Sequence, residues 1–309
     1  MEFGVHIPVI VSGPDVPPLR DLVAYGVTAE RLGYTSVATS DHIIGRSGWL
    51  DGPSILAAIG GATEQLELMT AILLSVVRHP ASVAQTFGSL DSMTGGRVIL
   101  GVGAGAVEHD YTVTGIPWEE RWQRLDESID FMRTLWRDDA PRFDGRFYRA
   151  NGVGPRPLPT RAGGPPIWIG SWGSPVGLRR VARLGDGWIA SGFNITPERF
   201  KAAGQTLAEE RAKLGKTSQF DNALASVFTY ISDDPDEPRR IATEILGPAL
   251  GRDPDDMLRL ALMGTPESCA ERLAAYADAG VQRIVIWPAA DHRTQIERFA
   301  AQVIPLLNG

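Results

Sequence analysis

Apolar and polar positions along the chain switch repeatedly between two periods. Short apolar runs read as buried strands over Phe3–Val9, Thr35–Thr39, Leu68–Val76, Val98–Val102, Ile167–Ile169, Gly187–Ser191, Ala223–Ile231 and Arg283–Trp287. Between them, helical spacing predicts Leu19–Leu32, Ser54–Thr63, Ala81–Met93, Trp118–Trp136, a helix after Pro175, one from Pro197 to about Leu214, Pro266–Ala279 and Thr294–Leu307. The punctuation agrees: Gly33 and Gly280 follow helices, Pro53 opens one, and Gly95-Gly96 closes another. The clearest amphipathic stretch is Trp118–Trp136, with Leu125, Ile129, Met132, Leu135 and Trp136 on or near one face.

Eight strands, most of them followed by a helix, imply a parallel sheet. Their number points to an α/β protein of the closed (β/α)8 TIM-barrel type, with an open doubly wound sheet as the alternative. The alternation breaks once. Phe143–Tyr148 reads as a hairpin around Asp144-Gly145, and a Pro/Gly-rich connector runs from Gly152 to Pro166. Because the alternation then resumes, the stretch at about 141–165 reads as an insertion in a single domain spanning 1–309.

Composition narrows the function. The chain has 309 residues, 43% of them hydrophobic, and 37 acidic against 30 basic residues give a net charge of −7. That balance argues against nucleic acid as a partner, because phosphate neutralisation needs a basic face. There is no apolar run of membrane-spanning length and no signal peptide, and the one cysteine, Cys269, suits a reducing cytoplasm. Cys269 follows the helix start at Thr265-Pro266, so it reads as a packing residue rather than a nucleophile.

In a barrel, chemistry collects where strands end. The densest signal is Gly95–Asp110: a turn pair, a short strand, then Gly101, Gly103 and Gly105 at alternate positions, running into Glu108, His109 and Asp110. Backbone bared by Gly103, Ala104 and Gly105 lets a flat ring lie close, so the ring of a cofactor is expected against Gly105. This is not the dinucleotide fingerprint, since Ala106 stands where the last glycine would be. The second strand leads into Ser40-Asp41-His42. His42 with neighbouring Asp41 reads as a proton donor or acceptor, against the plainer reading of a buried or capping histidine. Gly170, Ser171, Trp172, Gly173 and Ser174 precede a helix, and their amides and hydroxyls would hold a phosphate or serve as an ordinary turn with a serine cap. No paired histidine spacing or Cys/His cluster supports a metal, and Pro175 spoils a nucleophile elbow. Asp41, Glu108 and Asp110 are the carboxylates a hydrolase reading would need. Trp49, Trp172, Phe193, Tyr230 and Trp287 fall in or near the loops and suggest an apolar pocket, and Gly45–Gly52 reads as a mobile loop beside it.

Assembled in order, these pieces resemble the luciferase-like monooxygenase superfamily over nearly the whole chain. They are Ser40-Asp41-His42, Arg78-His79-Pro80, Leu90-Asp91 with Gly95-Gly96-Arg97, Gly101–Gly105, Arg121 with Leu125-Asp126-Glu127, Phe143 with Gly145, Pro165-Pro166 with Gly170, Gly185-Asp186-Gly187-Trp188 and Gly264-Thr265-Pro266-Glu267. The resemblance is closest to the branch that uses the deazaflavin coenzyme F420. It implies a bacterial-luciferase-like barrel with the ring over the strand ends, His42 and Glu108 near the chemistry, a non-proline cis bond at Ser75-Val76 behind the ring, and the phosphate loop at Gly170–Gly173. It also implies a small-molecule substrate, a homodimer and, for members that use FMN and oxygen, a separate reductase. The sugar-phosphate dehydrogenases of the branch carry a glutamate directly after the glycines, where this chain has Ala106. That departure favours hydride transfer to a C=C or C=N bond over sugar-phosphate oxidation. An FMN-dependent two-component monooxygenase and a non-catalytic flavin-binding relative are the alternatives.

Overall fold

Each apolar run pairs in parallel with its neighbours, and the eighth returns to the first. In the computed structural model, which describes residues 1–11, 15–44, 48–137 and 139–307, the barrel strands are β1 (Glu2–His6), β2 (Ser36–Thr39), β3 (Glu67–Thr70), β4 (Val98–Val102), β5 (Ile167–Gly170), β6 (Gly187–Ser191), β7 (Asp221–Ile231) and β8 (Arg283–Pro288). They pair in that order, β6 with β7 and β8 with both β7 and β1, so the sheet closes. The open-sheet alternative is thereby excluded, and the (β/α)8 expectation holds.

Closure splits the apolar residues into two cores. Ala38, Met69, Ala71, Ile99, Trp168, Ile189, Ala223, Ala225 and Val285 fill the inside of the barrel. A larger core lies between strands and helices. The split follows from strand alternation, which sends successive side chains to opposite faces. The interior is tight: a Cβ on Gly101 would come 1.9 Å from the Thr70 carbonyl oxygen, so only glycine fits there.

The outer layer is built from α1 (Leu19–Arg31), α2 (Gly52–Gly60), α3 (Pro80–Met93), α4 (Glu108–Thr114), α5 (Arg121–Arg137), α6 (Pro175–Leu184) and α7 (Pro197–Lys213), followed by short segments between Glu237 and Leu260 and the helices Pro266–Asp278 and His292–Arg298. On α5 the expected face, Leu125, Ile129, Met132, Leu135 and Trp136, is buried. Each such side chain contributes about 1.5–3 kcal/mol on burial. The hairpin forms from Arg142–Asp144 and Arg149–Asn151. Among the described residues, no helix is long and apolar enough to cross a membrane.

Several expectations shift. The third strand, expected to reach Val76, stops at Thr70; the mostly apolar run Leu68–Val77, interrupted only by Thr70 and Ser75, carries no glycine or proline to mark where pairing ends. Past Thr70, Ala71 gives its N–H to the Thr39 carbonyl and Leu73 turns to β4, donating to the Gly101 carbonyl. The non-proline cis bond lies in this turn, at Ala71-Ile72, and not at Ser75-Val76. Ser75 and Val76 are buried against the outer helices, and Ser75 Oγ lies 3.2 Å from Ser128 Oγ of α5. Helix α4 was not foreseen. The final helix is shorter than expected, passing after Arg298 into wider and then tighter turns. Of the loop read as mobile, residues 45–47 lie outside the described residues. Gly48–Trp49 pairs antiparallel with Ile10–Val11, and Gly52 begins α2.

Candidate active site

At the end of β2 the chain places Asp41 and His42 in opposite environments. Asp41 is buried and accepts from Arg78 Nε at 2.8 Å, Arg78 Nη2 at 2.7 Å and the Leu74 amide at 3.0 Å. Arg78 also reaches Asp51, the N-cap of α2, at 2.7 Å. Asp41 is therefore a strut joining three loops, and it does not pair with His42. Burial alone would raise the Asp51 carboxyl, but Ser54 and Arg78 hold it below the ordinary value.

The partner of His42 is Asp110, one of the carboxylates the sequence offered only for a hydrolase. His42 Nδ1 lies 2.7 Å from Asp110 Oδ2. Asp110 Oδ1 accepts the amides of Ile43 and Ile44 at 2.8 and 2.9 Å. Burial would raise the Asp110 carboxyl, yet the bond from His42 and these amides outweigh it and hold it low. The carboxylate thus stays ionised at neutral pH and favours the tautomer with hydrogen on Nδ1. Glu108, two residues earlier on the first turn of α4, is exposed.

The glycines after β4 do leave bare backbone, but side chains of the third βα loop occupy the space. A Cβ on Gly103 would lie 2.3 Å from Ile72 Cδ1, and one on Gly170 would lie 2.9 Å from Ile72 Cγ2. Gly105 has φ +72° and faces Leu74. Ile72, half-buried, is therefore seated on Gly103 and Gly170, and Leu74 lies on the side of Gly105 where a side chain would point. Ala104 is buried, and its carbonyl accepts from Tyr111 of α4 at 2.5 Å.

Gly170 leads into α6. Ser171 is buried, its Oγ accepting from the Gly173 amide at 3.3 Å, while Trp172 is exposed and Gly173 has φ +84°. Ser174 caps α6, accepting from Gly177, with Pro175 at the first helical position. The loop comes close to the helix: a Cβ on Gly177 would lie 2.3 Å from Ser171 Oγ.

Opposite, aromatic rings form a wall. Trp49 meets His42 at 4.7 Å and Trp287 at 6.5 Å, both edge-on. Trp287 stacks on Phe228 at 5.1 Å, and Phe228 contacts Phe193 at 5.8 Å. Of the aromatics suggested for a pocket, Trp49, Phe193 and Trp287 meet here. Tyr230 gives its hydroxyl to Asp291, and Trp172 is exposed in the loop before α6. His6, at the end of β1, is fully buried and stacks face to face on Trp287 at 3.6 Å. Burial pushes its pKa down to about 3; the Ile7 carbonyl opposes this and His292 adds to it. The cavity of about 750 Å³ at the other end of the barrel, lined by Glu2, Glu67, Trp168 and Arg283 among others, lies at the face that in such barrels serves stability.

The sequence reading missed Arg78 as a clamp, Asp110 as the partner of His42, and Ile72 and His6 as mouth residues. Arg78 and Asp110 were marked by their places near strand ends but not in these roles, His6 had the signal of a histidine ending a buried strand, and Ile72 had none.

A model of the luciferase-like monooxygenase family matches residues 1–250. The F420-dependent glucose-6-phosphate dehydrogenase of Beutenbergia cavernae is 32% identical over 329 residues, covering 93% of each chain. Its namesake from Intrasporangium calvum is 30% identical, covering 94% of this chain and 95% of its own. Among solved structures, monooxygenase RslO1 of Streptomyces bottropensis matches with TM-score 0.86 at 22% identity over 99% of both chains. An F420-dependent secondary alcohol dehydrogenase in complex with an F420-acetone adduct matches with TM-score 0.85, also at 22%, over 99% of this chain and 98% of its own. At that identity these two speak for the barrel alone.

Proposed function

Because the chain belongs to the luciferase-like monooxygenase family, we propose that it is an F420-dependent oxidoreductase acting on a small organic molecule, with the His42–Asp110 pair handling the proton. The deazaflavin reading is supported by relatives that carry F420 in their names and align over more than nine-tenths of the chain.

The residues present fit such a group. Ile72 packs onto the bare backbone of Gly103 and Gly170, and together they offer an apolar floor for a flat ring. The first turn of α6, preceded by Ser171, Trp172 and Gly173, offers amides and the positive end of a helix to a phosphate. When bound, the deazaflavin supplies or takes the hydride. Asp110 holds His42 by Nδ1, which leaves Nε2 as the nitrogen that gives or takes a proton at the substrate. Asp41 and Arg78 hold the loop that carries His42. The aromatic wall excludes water from the substrate side.

The observation that carries this reading is the 2.7 Å His42–Asp110 contact at the mouth of the barrel. Ala106, where the sugar-phosphate dehydrogenases of the branch have glutamate, favours C=C or C=N reduction over sugar-phosphate oxidation. A homodimer in the cytoplasm belongs to the same proposal. The test is a fluorescence titration of the purified protein with F420 and, separately, with FMN. Binding of F420 with loss of turnover in His42→Ala supports the reading. Binding of FMN alone would replace it with a two-component monooxygenase served by a separate reductase, and binding without any turnover would point to a non-catalytic relative.

A further inference from the structure

The inner face of the barrel is apolar over most of its circumference, but β1 and β2 break the pattern. A Cβ on Gly4 would lie 2.2 Å from Ser36 Oγ, so Ser36 faces inward. Alternation then places Ala38 and Ser40 on the same face, while Thr39 points to α2, where a Cβ on Gly52 would meet its Oγ1 at 2.6 Å. His6 pairs with Ala38 across the ladder and stacks on Trp287. On this sector Ser36 Oγ, His6 Nε2 and Ser40 Oγ are all buried without a hydrogen-bond partner.

His6 is the most informative of the three. Its Nδ1 lies 2.9 Å from the Ile7 carbonyl, which can only accept, so Nδ1 carries the hydrogen. Nε2 is then a bare lone pair, an acceptor with nothing to accept. A buried polar atom left this way destabilises the fold unless something pairs with it. Solvent does not reach Nε2 in the ligand-free chain, so its partner is either a buried water shared with Ser36 and Ser40 or a donor group on a ligand that displaces it. Burial also keeps the ring neutral, which makes it a poor base and leaves it the role of an acceptor.

We propose that His6 Nε2 is the anchoring acceptor for a hydroxyl or N–H group of the substrate, which is therefore an uncharged molecule with a cyclic or flat apolar body and one such donor. The apolar body follows from the wall of Trp49, Trp287, Phe228 and Phe193. Trp49 and Phe193, its outer members, are half-buried and meet a ligand first. The inference rests on the oxidoreductase reading for the word substrate, but its binding chemistry does not require the cofactor. His6 acts as a positioning residue, while proton transfer belongs to His42.

The test is a tryptophan-fluorescence titration of the full chain, without cofactor, using cyclohexanol and cyclohexanone as matched probes. Trp287, stacked on His6, reports occupancy. Wild type is expected to bind the alcohol about tenfold more tightly than the ketone, because only the alcohol can donate to Nε2. His6→Phe keeps the stack and removes the acceptor, and it should bring the ratio to about one by weakening the alcohol alone. If His6→Phe does not fold, His6→Met serves the same purpose. Equal binding by wild type, or an unchanged ratio in the variant, overturns the inference. Titration of the same preparations with F420 separates the two claims. F420 binding without an alcohol preference defeats only this one, whereas an alcohol preference without F420 binding defeats only the functional reading.

Discussion

His42 and Asp110 meet at 2.7 Å although 68 residues separate them, and the same carboxylate binds the two amides that follow His42. One acid thus fixes the ring and the loop that carries it. Asp110→Asn preserves size but loses the charge that favours hydrogen on Nδ1. We expect kcat to fall about 100-fold, within the usual range for acid–base groups, with F420 affinity unchanged. Steady-state kinetics beside a cofactor titration checks this, and full activity would remove the pair from the chemistry.

Asp41 and Arg78 predict a different phenotype. Removing one member of a buried, hydrogen-bonded ion pair costs about 3–5 kcal/mol, because the other is left uncompensated. Arg78→Met should lower the unfolding free energy by a margin of that order; His42→Ala, which strips buried Asp110 of its partner, should lose stability too but is set apart by its loss of turnover. Arg78→Lys should restore little, since an ammonium cannot supply the two-pronged contact. Wild-type stability in Arg78→Met would refute the strut.

At the glycine cleft, a side chain on Gly103 must displace Ile72, whose Cδ1 is 2.3 Å from the position a Cβ would take. Gly103→Val should cost about 1–3 kcal/mol through overpacking and weaken F420 binding. Adding Ile72→Ala should recover stability without recovering the cofactor, because the backstop is then gone. Additive losses in the double variant would show that the two do not touch.

His6 gives a prediction in pH. Burial lowers its pKa in the folded chain to about 3, from the ordinary imidazole value of 6.5. Between those limits the unfolded chain binds a proton that the folded chain does not, so stability rises with pH there and is lost on acidification. The slope from this group is about 1.4 kcal/mol per pH unit. His292, also depressed by burial, acts in the same direction. Unfolding of wild type and His6→Phe from pH 7 to pH 4 should show the variant losing less stability, and parallel curves would contradict a buried neutral His6.

The strand–helix alternation was legible because its two periods are local properties of the chain, and β4 and β6 fall on their predicted bounds for that reason. The end of β3 was not legible. Leu68–Val77 is apolar except for Thr70 and Ser75, both residues that strands accept, so the sequence holds no clear sign that pairing with β2 stops after Thr39 and Ala71. That error carried the cis bond four residues too far, to Ser75 instead of Ala71. The mouth followed a similar pattern. His42 and the Gly170–Ser174 loop were found by their place at strand ends, and the role of Asp41 was misjudged because adjacency in sequence was taken for adjacency of side chains.

By itself the sequence determined the barrel class, the family and the zones where chemistry could sit, since periodicity, caps and glycine spacing act over a few residues. Only the tertiary structure decided which groups meet: Asp110 with His42, Arg78 with Asp41, Ile72 over Gly103 and Gly170, and His6 against Trp287. These contacts join segments from 31 to more than 280 residues apart, and they exist because the barrel closes. Partners of that kind are chosen by the directions in which strand ends converge, and no local pattern in the chain encodes them.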